Sequence, residues 1–190
     1  FGLQVIEHVR IKTKLQRHAS EQGLVRLFQA KPHQRVGLSD GLTQIVDTLR
    51  GRPELGAIHL ITHGEVGKIN LGTRLLDATA VDRARDELLG VRRALGGRGD
   101  FLIYGCNVAD GAEGRAFVQR LGHVIGGSVA ASSRATGTHA AGGHGGLDFR
   151  LGALQAEPIN LGAAGWTGVL ATTVFDAAQG TLVFRHTGTG

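Results

Sequence analysis

Hydrophobic positions along the chain fall into two patterns. Short unbroken apolar runs occur at AIHLIT (57–62), DFLIYG (100–105) and SVAAS (128–132). Their length and continuity predict strands buried on both faces. Between them, apolar residues recur three and four positions apart. Leu42, Ile45, Val46 and Leu49 predict a helix with Ser39 as N-cap and Gly51 as C-cap. The stretch 77–97 predicts one long amphipathic helix, capped by Asp77 and closed by Gly96-Gly97. Another helix is expected over 110–127, with Asn107 and Asp110 as caps and Glu113 at N3, close to a capping box. KINLGTRLL (68–76) reads as a small hairpin. Alternation of strand and helix predicts an α/β domain with a mainly parallel central sheet.

The two ends are patterned differently. Residues 1–33 form a basic segment of uncertain structure, in which LQVIEHVRI alternates like a strand and GLVRLFQA fits a strand or a short helix. QRVGL (34–38) reads as a short strand opening the domain assigned to 34–170. Beyond Ser133, RATGTHAAGGHGG is a glycine-rich loop, and LDFRLGAL and AAGWTGVL read as edge strands or ordered extensions. Residues 171–190 have the pattern of a β-hairpin turning at 177–180, or of the start of a following domain.

Two predicted strands run straight into reactive residues: AIHLIT into His63-Gly64, and DFLIYG into Cys106. Parallel sheets bind ligands at the carboxyl ends of their strands. A right-handed crossover between these strands brings the two ends to one edge. A cysteine nucleophile needs a base that holds its proton, and histidine does this near neutral pH. It also needs backbone N–H groups facing the developing oxyanion. Gly64 and the amide of Cys106 are the candidates, and Gly105 permits a sharp turn off the strand. Cys106 follows His63 by 43 residues, near the roughly 50-residue spacing of caspases.

LITHG followed by LIYGC resembles the caspase-like (clan CD) cysteine peptidases. AIHLITHGEVGKINLG, DFLIYGCNVADGAEGRAFVQRLG and GGSVAASSRATG are similar, more closely, to an uncharacterised bacterial domain family of that superfamily, found near the N-termini of very large, repeat-rich secreted or surface proteins. The likeness spans roughly Val36 to Leu170. It implies a three-layer α/β sandwich with helices on both faces of the sheet, and peptide-bond hydrolysis through an acyl-enzyme without metal or cofactor. It implies His63 as base, Cys106 as nucleophile, and Gly64 and Cys106 as oxyanion donors. AASSRATG would wall the substrate pocket, with Ser132, Ser133, Thr136 and Asp148. The bland reading of Asp148, a turn residue or a partner of Arg134 or Arg150, is preferred. Two departures stand out: no acidic first strand is recognisable before Val36, and Gly146-Leu147 replaces the tryptophan usual before the LDFRLG-like aspartate.

Composition narrows the partners. Twenty-one Lys and Arg against 16 Asp and Glu give a formal charge of +5, part of it in Arg10, Lys12, Lys14 and Arg17. Aromatic residues make up only 5%, so no stacking pattern accompanies this patch, and a solvated face or tether is expected rather than nucleic-acid binding. A single Cys among 190 residues excludes an internal disulfide framework. No apolar run reaches the ~18 residues of a membrane span. The lack of Met and of a signal sequence suggests a fragment or mature segment, and the resemblance places it outside a bacterial cell. His59, His123, His139 and His144 lack metal-ligand spacing; His59 and His63 stand four apart, but on a strand. A polypeptide, including the parent chain itself, is the expected substrate. The alternative is a binding or assembly module that keeps the fold without using the dyad.

Overall fold

The computed structural model of the chain describes residues 25–28, 40–52, 54–159, 173–176 and 181–184. In chain order the elements are β1 (Val25–Phe28), α1 (Gly41–Leu49), β2 (Ala57–Ile61), β3 (Gly64–Glu65), β4 (Lys68–Leu71), β5 (Arg74–Asp77) and α2 (Ala78–Arg83). They continue with α3 (Arg85–Leu95), β6 (Asp100–Tyr104), α4 (Gly111–Ile125), β7 (Ser128–Ala131), β8 (Phe149–Leu151), β9 (Thr173–Asp176) and β10 (Thr181–Phe184). The central sheet has the order β1-β2-β6-β7-β8. The first four strands run parallel and β8 closes the edge antiparallel to β7. The expected α/β architecture, a mainly parallel sheet with helices packed against it, is the one observed.

Every residue of β2 and β6 is buried, which explains their unbroken hydrophobicity: both faces of these strands are covered. Strand alternation puts Ile58, Leu60, Phe101, Ile103, Val129 and Ala131 into one cluster with the apolar stripes of α1, α2, α3 and α4. The opposite face gathers Ala57, Ile61, Leu102, Tyr104, Ala130 and Cys106 under Leu147. Among the described residues that second face is covered by extended chain, with Ala135, Leu154, Ala156 and Ile159 packed against it.

Several local expectations are corrected. The N-cap of α1 is Asp40, not Ser39, which lies outside the described residues; the Asp40 carboxylate accepts from the Leu42 amide at 3.0 Å. At the other end Arg50 is the C-cap and Gly51 stands one residue further, at φ +71°. The long helix over 77–97 is two helices broken at Ala84. Its halves have different partners: α2 packs on α4, fastened by Arg120 to Asp82 at 2.6 and 2.7 Å, while α3 lies between α1 and α4. Asp110 is the N-cap of α4 but makes no side-chain cap bond. Glu113, its expected capping-box partner, lies instead with its stem against Gly67.

KINLGTRLL is the hairpin β4–β5, extended by β3 into a small antiparallel sheet. The terminal hairpin appears as β9 paired antiparallel with β10. GLVRLFQA contributes the parallel edge strand β1. The strands read at 3–11 and 34–38, the rest of the basic segment and AAGWTGVL lie outside the described residues. No helix among those described is long and apolar enough to cross a membrane.

Candidate active site

Parallel pairing of β2 with β6 aligns Ile61 with Tyr104 at the carboxyl ends. The Thr62 amide continues the ladder onto the Tyr104 carbonyl at 2.9 Å. His63 and Cys106 are therefore the second residues beyond a matched pair, on neighbouring strands at one edge. A Cβ built on Gly64 would meet Val108 Cγ2 at 2.4 Å and the Cys106 carbonyl oxygen at 3.1 Å; one on Gly105 would lie 3.4 Å from Gly64 Cα. The two strand ends touch backbone to backbone, and only glycines permit the approach. Gly64→Ala is accordingly expected to lower stability by about 1–3 kcal/mol, read from the urea midpoint; an unchanged midpoint would mean that the contact yields without cost.

Each strand end then turns away. The amide of Asn70 donates to the His63 carbonyl at 2.9 Å. Gly64, opposite Ile69, consequently sits at a non-hydrogen-bonded position of the β3–β4 ladder, with its N–H aimed away from β4. Beyond Cys106 the turn is made by Asn107, which holds φ +58°. Asparagine is among the few side chains that tolerate this left-handed conformation. The amides of Asn107 and Ala109 donate to the carbonyls of Arg134 and Ser132, each at 3.0 Å, tying the turn to the chain that follows β7.

The sulfur itself is enclosed. Cys106 is 4% exposed. Its Sγ accepts from the Thr136 amide at 3.2 Å and lies 3.8 Å from the Thr136 carbonyl oxygen. Burial pushes the thiol pKa up, and the Thr136 N–H offsets part of that rise by favouring the thiolate. His63, at the matching position of the neighbouring strand end, is half-buried.

The four residues expected to wall a pocket do come together after β7, and each is engaged in holding the loop. Ser132 is buried, with its hydroxyl 3.1 Å from both the carbonyl oxygen and the amide of Arg134. Ser133 donates from its amide to Asp148 at 2.7 Å and from its hydroxyl to the same carboxylate. Burial raises the Asp148 pKa, but the Ser133 bonds and Arg134, whose Nε is 3.9 Å away, hold it below the usual range. The preferred reading of Asp148 as a structural partner agrees with this placement. Thr136 is buried and its hydroxyl donates to the Gly105 carbonyl at 2.9 Å.

Tyr104 and Asp100 were not singled out from the sequence, and His59 was weighed there only as a metal ligand. Tyr104, the last residue of β6, has its hydroxyl 3.0 Å from His59 Nδ1 and accepts from the Ile159 amide at 2.7 Å. His59 and Tyr104 stack, with ring centroids 5.9 Å apart. Asp100, fully buried at the start of β6, accepts at Oδ2 from the amides of Gln155 and Ala156, each at 2.7 Å. A charged or hydroxylated residue inside an otherwise apolar strand was the available signal. Among the described residues no group of three or more His, Cys, Asp or Glu comes together as a metal site.

The chain belongs to the family described as a domain of unknown function (DUF4347), whose profile matches residues 12–170. No curated protein and no solved structure matches it.

Proposed function

We propose that this member of the DUF4347 family is a cysteine endopeptidase with a His63–Cys106 dyad. The observation that carries the reading is the β2–β6 register, which delivers an imidazole and a thiol to adjacent strand ends joined through Gly64 and Gly105. His63 takes the thiol proton as Sγ bonds to the peptide carbonyl carbon. The amides of Gly64 and Cys106 receive the oxyanion. The C–N bond then breaks, the proton passes from His63 to the leaving amine, and water releases the acyl group from sulfur. None of these steps calls for a metal or a cofactor. By resemblance, the substrate class is a polypeptide, and the setting is a large secreted or surface protein of a bacterium, with processing of the parent chain in cis as the natural role.

A non-catalytic binding or assembly module is the competing reading. Its support is the enclosure of the thiol, whose pKa burial raises rather than lowers. Alkylation of Cys106 by iodoacetamide against pH, read by intact mass in wild type and His63→Ala, separates the two. The dyad predicts a labelling profile that shifts by at least half a pH unit when His63 is removed. A profile indifferent to His63 would favour the binding module.

A further inference from the structure

The loop between Ser133 and Asp148 does more than border the thiol. Its inner strand lays the Thr136 peptide directly on Cys106: the Thr136 N–H meets Sγ at 3.2 Å, and the Thr136 carbonyl oxygen is 3.8 Å away. The Thr136 hydroxyl is fastened to the Gly105 carbonyl on the same strand end at 2.9 Å. Polypeptide backbone thus occupies the ground directly beside the sulfur. A substrate carbonyl has to reach that sulfur to about 3–3.5 Å for attack, so both cannot be there together.

The loop carries bonds of its own at its base and within it. At its base, the Ser133 amide and hydroxyl clasp the Asp148 carboxylate across 15 residues. That clasp is exposed. Inside, the loop is held together by itself: the His144 amide donates to the Ala135 carbonyl at 2.7 Å, Gly137 to the His144 carbonyl at 3.2 Å, and Gly143 to the Thr138 carbonyl at 2.9 Å. Gly137, Gly142, Gly143, Gly145 and Gly146 punctuate it, and Gly142 takes φ +76°. Immediately beyond, the chain is anchored differently. Asp100 and the Tyr104 hydroxyl, both inside the sheet, hold the amides of Gln155, Ala156 and Ile159. The anchored part covers the apolar face together with Leu147, and Arg134 is pinned through its carbonyl by the Asn107 amide. The segment between Arg134 and Leu147 is held over Cys106 by Ala135 against that face, by the Thr136 bonds and, at its base, by the exposed clasp.

We propose that Ala135–Gly146 is an autoinhibitory lid that keeps Cys106 latent, latched by Ser133–Asp148 at its base and by the Thr136 hydroxyl at the thiol. It opens about its glycines while the Gln155–Ile159 anchor stays in place. Substrate enters only when the Thr136 peptide leaves the sulfur. This deepens the peptidase reading, and rests on it for its biological sense, but not for its test.

The test is the rate of Cys106 alkylation by iodoacetamide at fixed pH in wild type, Thr136→Val and Asp148→Asn. Valine keeps the volume of Thr136 and removes only the hydroxyl latch; asparagine keeps the shape of Asp148 and removes its charge. The expected result is slow labelling in wild type, at least tenfold slower than a free thiol, and at least tenfold acceleration in each variant. Thermal melts and amide exchange of the β2 and β6 amides run alongside, so that acceleration through global opening is recognised by matching loss of core protection. Wild-type labelling at the rate of a free thiol would overturn the lid, as would unchanged rates in both variants or acceleration that tracks core exchange. Adding His63→Ala to the opened variants keeps the two ideas apart. Rapid labelling there with no dependence on His63 would sustain the lid and refute the dyad.

Discussion

Cys106→Ala is expected to reduce peptide hydrolysis by this domain to the uncatalysed background, and His63→Ala to reduce it by about 10²–10⁴-fold. The two differ because their roles differ. Without sulfur no acyl-enzyme forms, and the oxyanion amides have no tetrahedral intermediate to bind. Without the imidazole a thiolate still exists in equilibrium, and its fraction rises with pH. Activity remaining in His63→Ala should therefore climb as the solution is made alkaline, while that of Cys106→Ala stays flat. Because burial already raises the thiol pKa, the loss in His63→Ala at neutral pH should fall toward the upper end of that range. Cleavage of a mixed peptide library by each variant in the Thr136→Val background, in which the thiol is uncovered, followed by mass spectrometry, is the measurement. Hydrolysis by Cys106→Ala at the rate of its Thr136→Val parent would remove the nucleophile and the proposed function with it. Both variants should retain the wild-type fold, which a circular-dichroism melt verifies.

Acidification is expected to destabilise the domain by about 3 kcal/mol between pH 6.5 and 4 through one residue, His59. This histidine lies in the middle of β2, 1% exposed, with Nδ1 at the Tyr104 hydroxyl and Nε2 without a hydrogen-bond partner among the described residues. Burial lowers its pKa from 6.5 to about 4, since a charged imidazole there would lose its hydration. Below pH 6.5 the unfolded chain binds a proton at this site and the folded chain does not. Stability from His59 is thus complete above 6.5 and falls by about 1.4 kcal/mol per pH unit until the folded form also protonates near 4. Urea denaturation at pH 7, 5.5 and 4 should reveal the slope. In His59→Leu that part of it should vanish, although the variant leaves the Tyr104 hydroxyl without its imidazole partner. Equal slopes in the two proteins would show that His59 is not held neutral by the fold.

Much of the architecture was legible along the chain because β2, β6 and β7 are continuous apolar runs and the helices carry three-four periodicity. These patterns follow from burial on two faces or on one, and each is local. The break at Ala84 was not legible. Residues 77–97 have uninterrupted helical periodicity, and only the separate docking of α2 on α4 and of α3 against α1 divides them. The capping box at Asp110 failed similarly, since Glu113 is drawn to Gly67, a neighbour 46 residues earlier in the chain.

At the site, the sequence by itself determined which residues stand at the strand ends. An apolar strand that stops at His-Gly and another that stops at Gly-Cys can be read without coordinates, because strand length and glycine both act within a few residues. What only the tertiary structure decided is what lies on top of them. The Thr136 peptide reaches Cys106 from 30 residues away, through a loop whose glycine-rich composition specifies freedom rather than position. Asp100 and Tyr104 likewise find their partners 55 residues on, among backbone amides. Backbone donors are the same at every position, so no side-chain pattern announces which will be used. Their choice is set by the fold, and with it whether the thiol is open or covered.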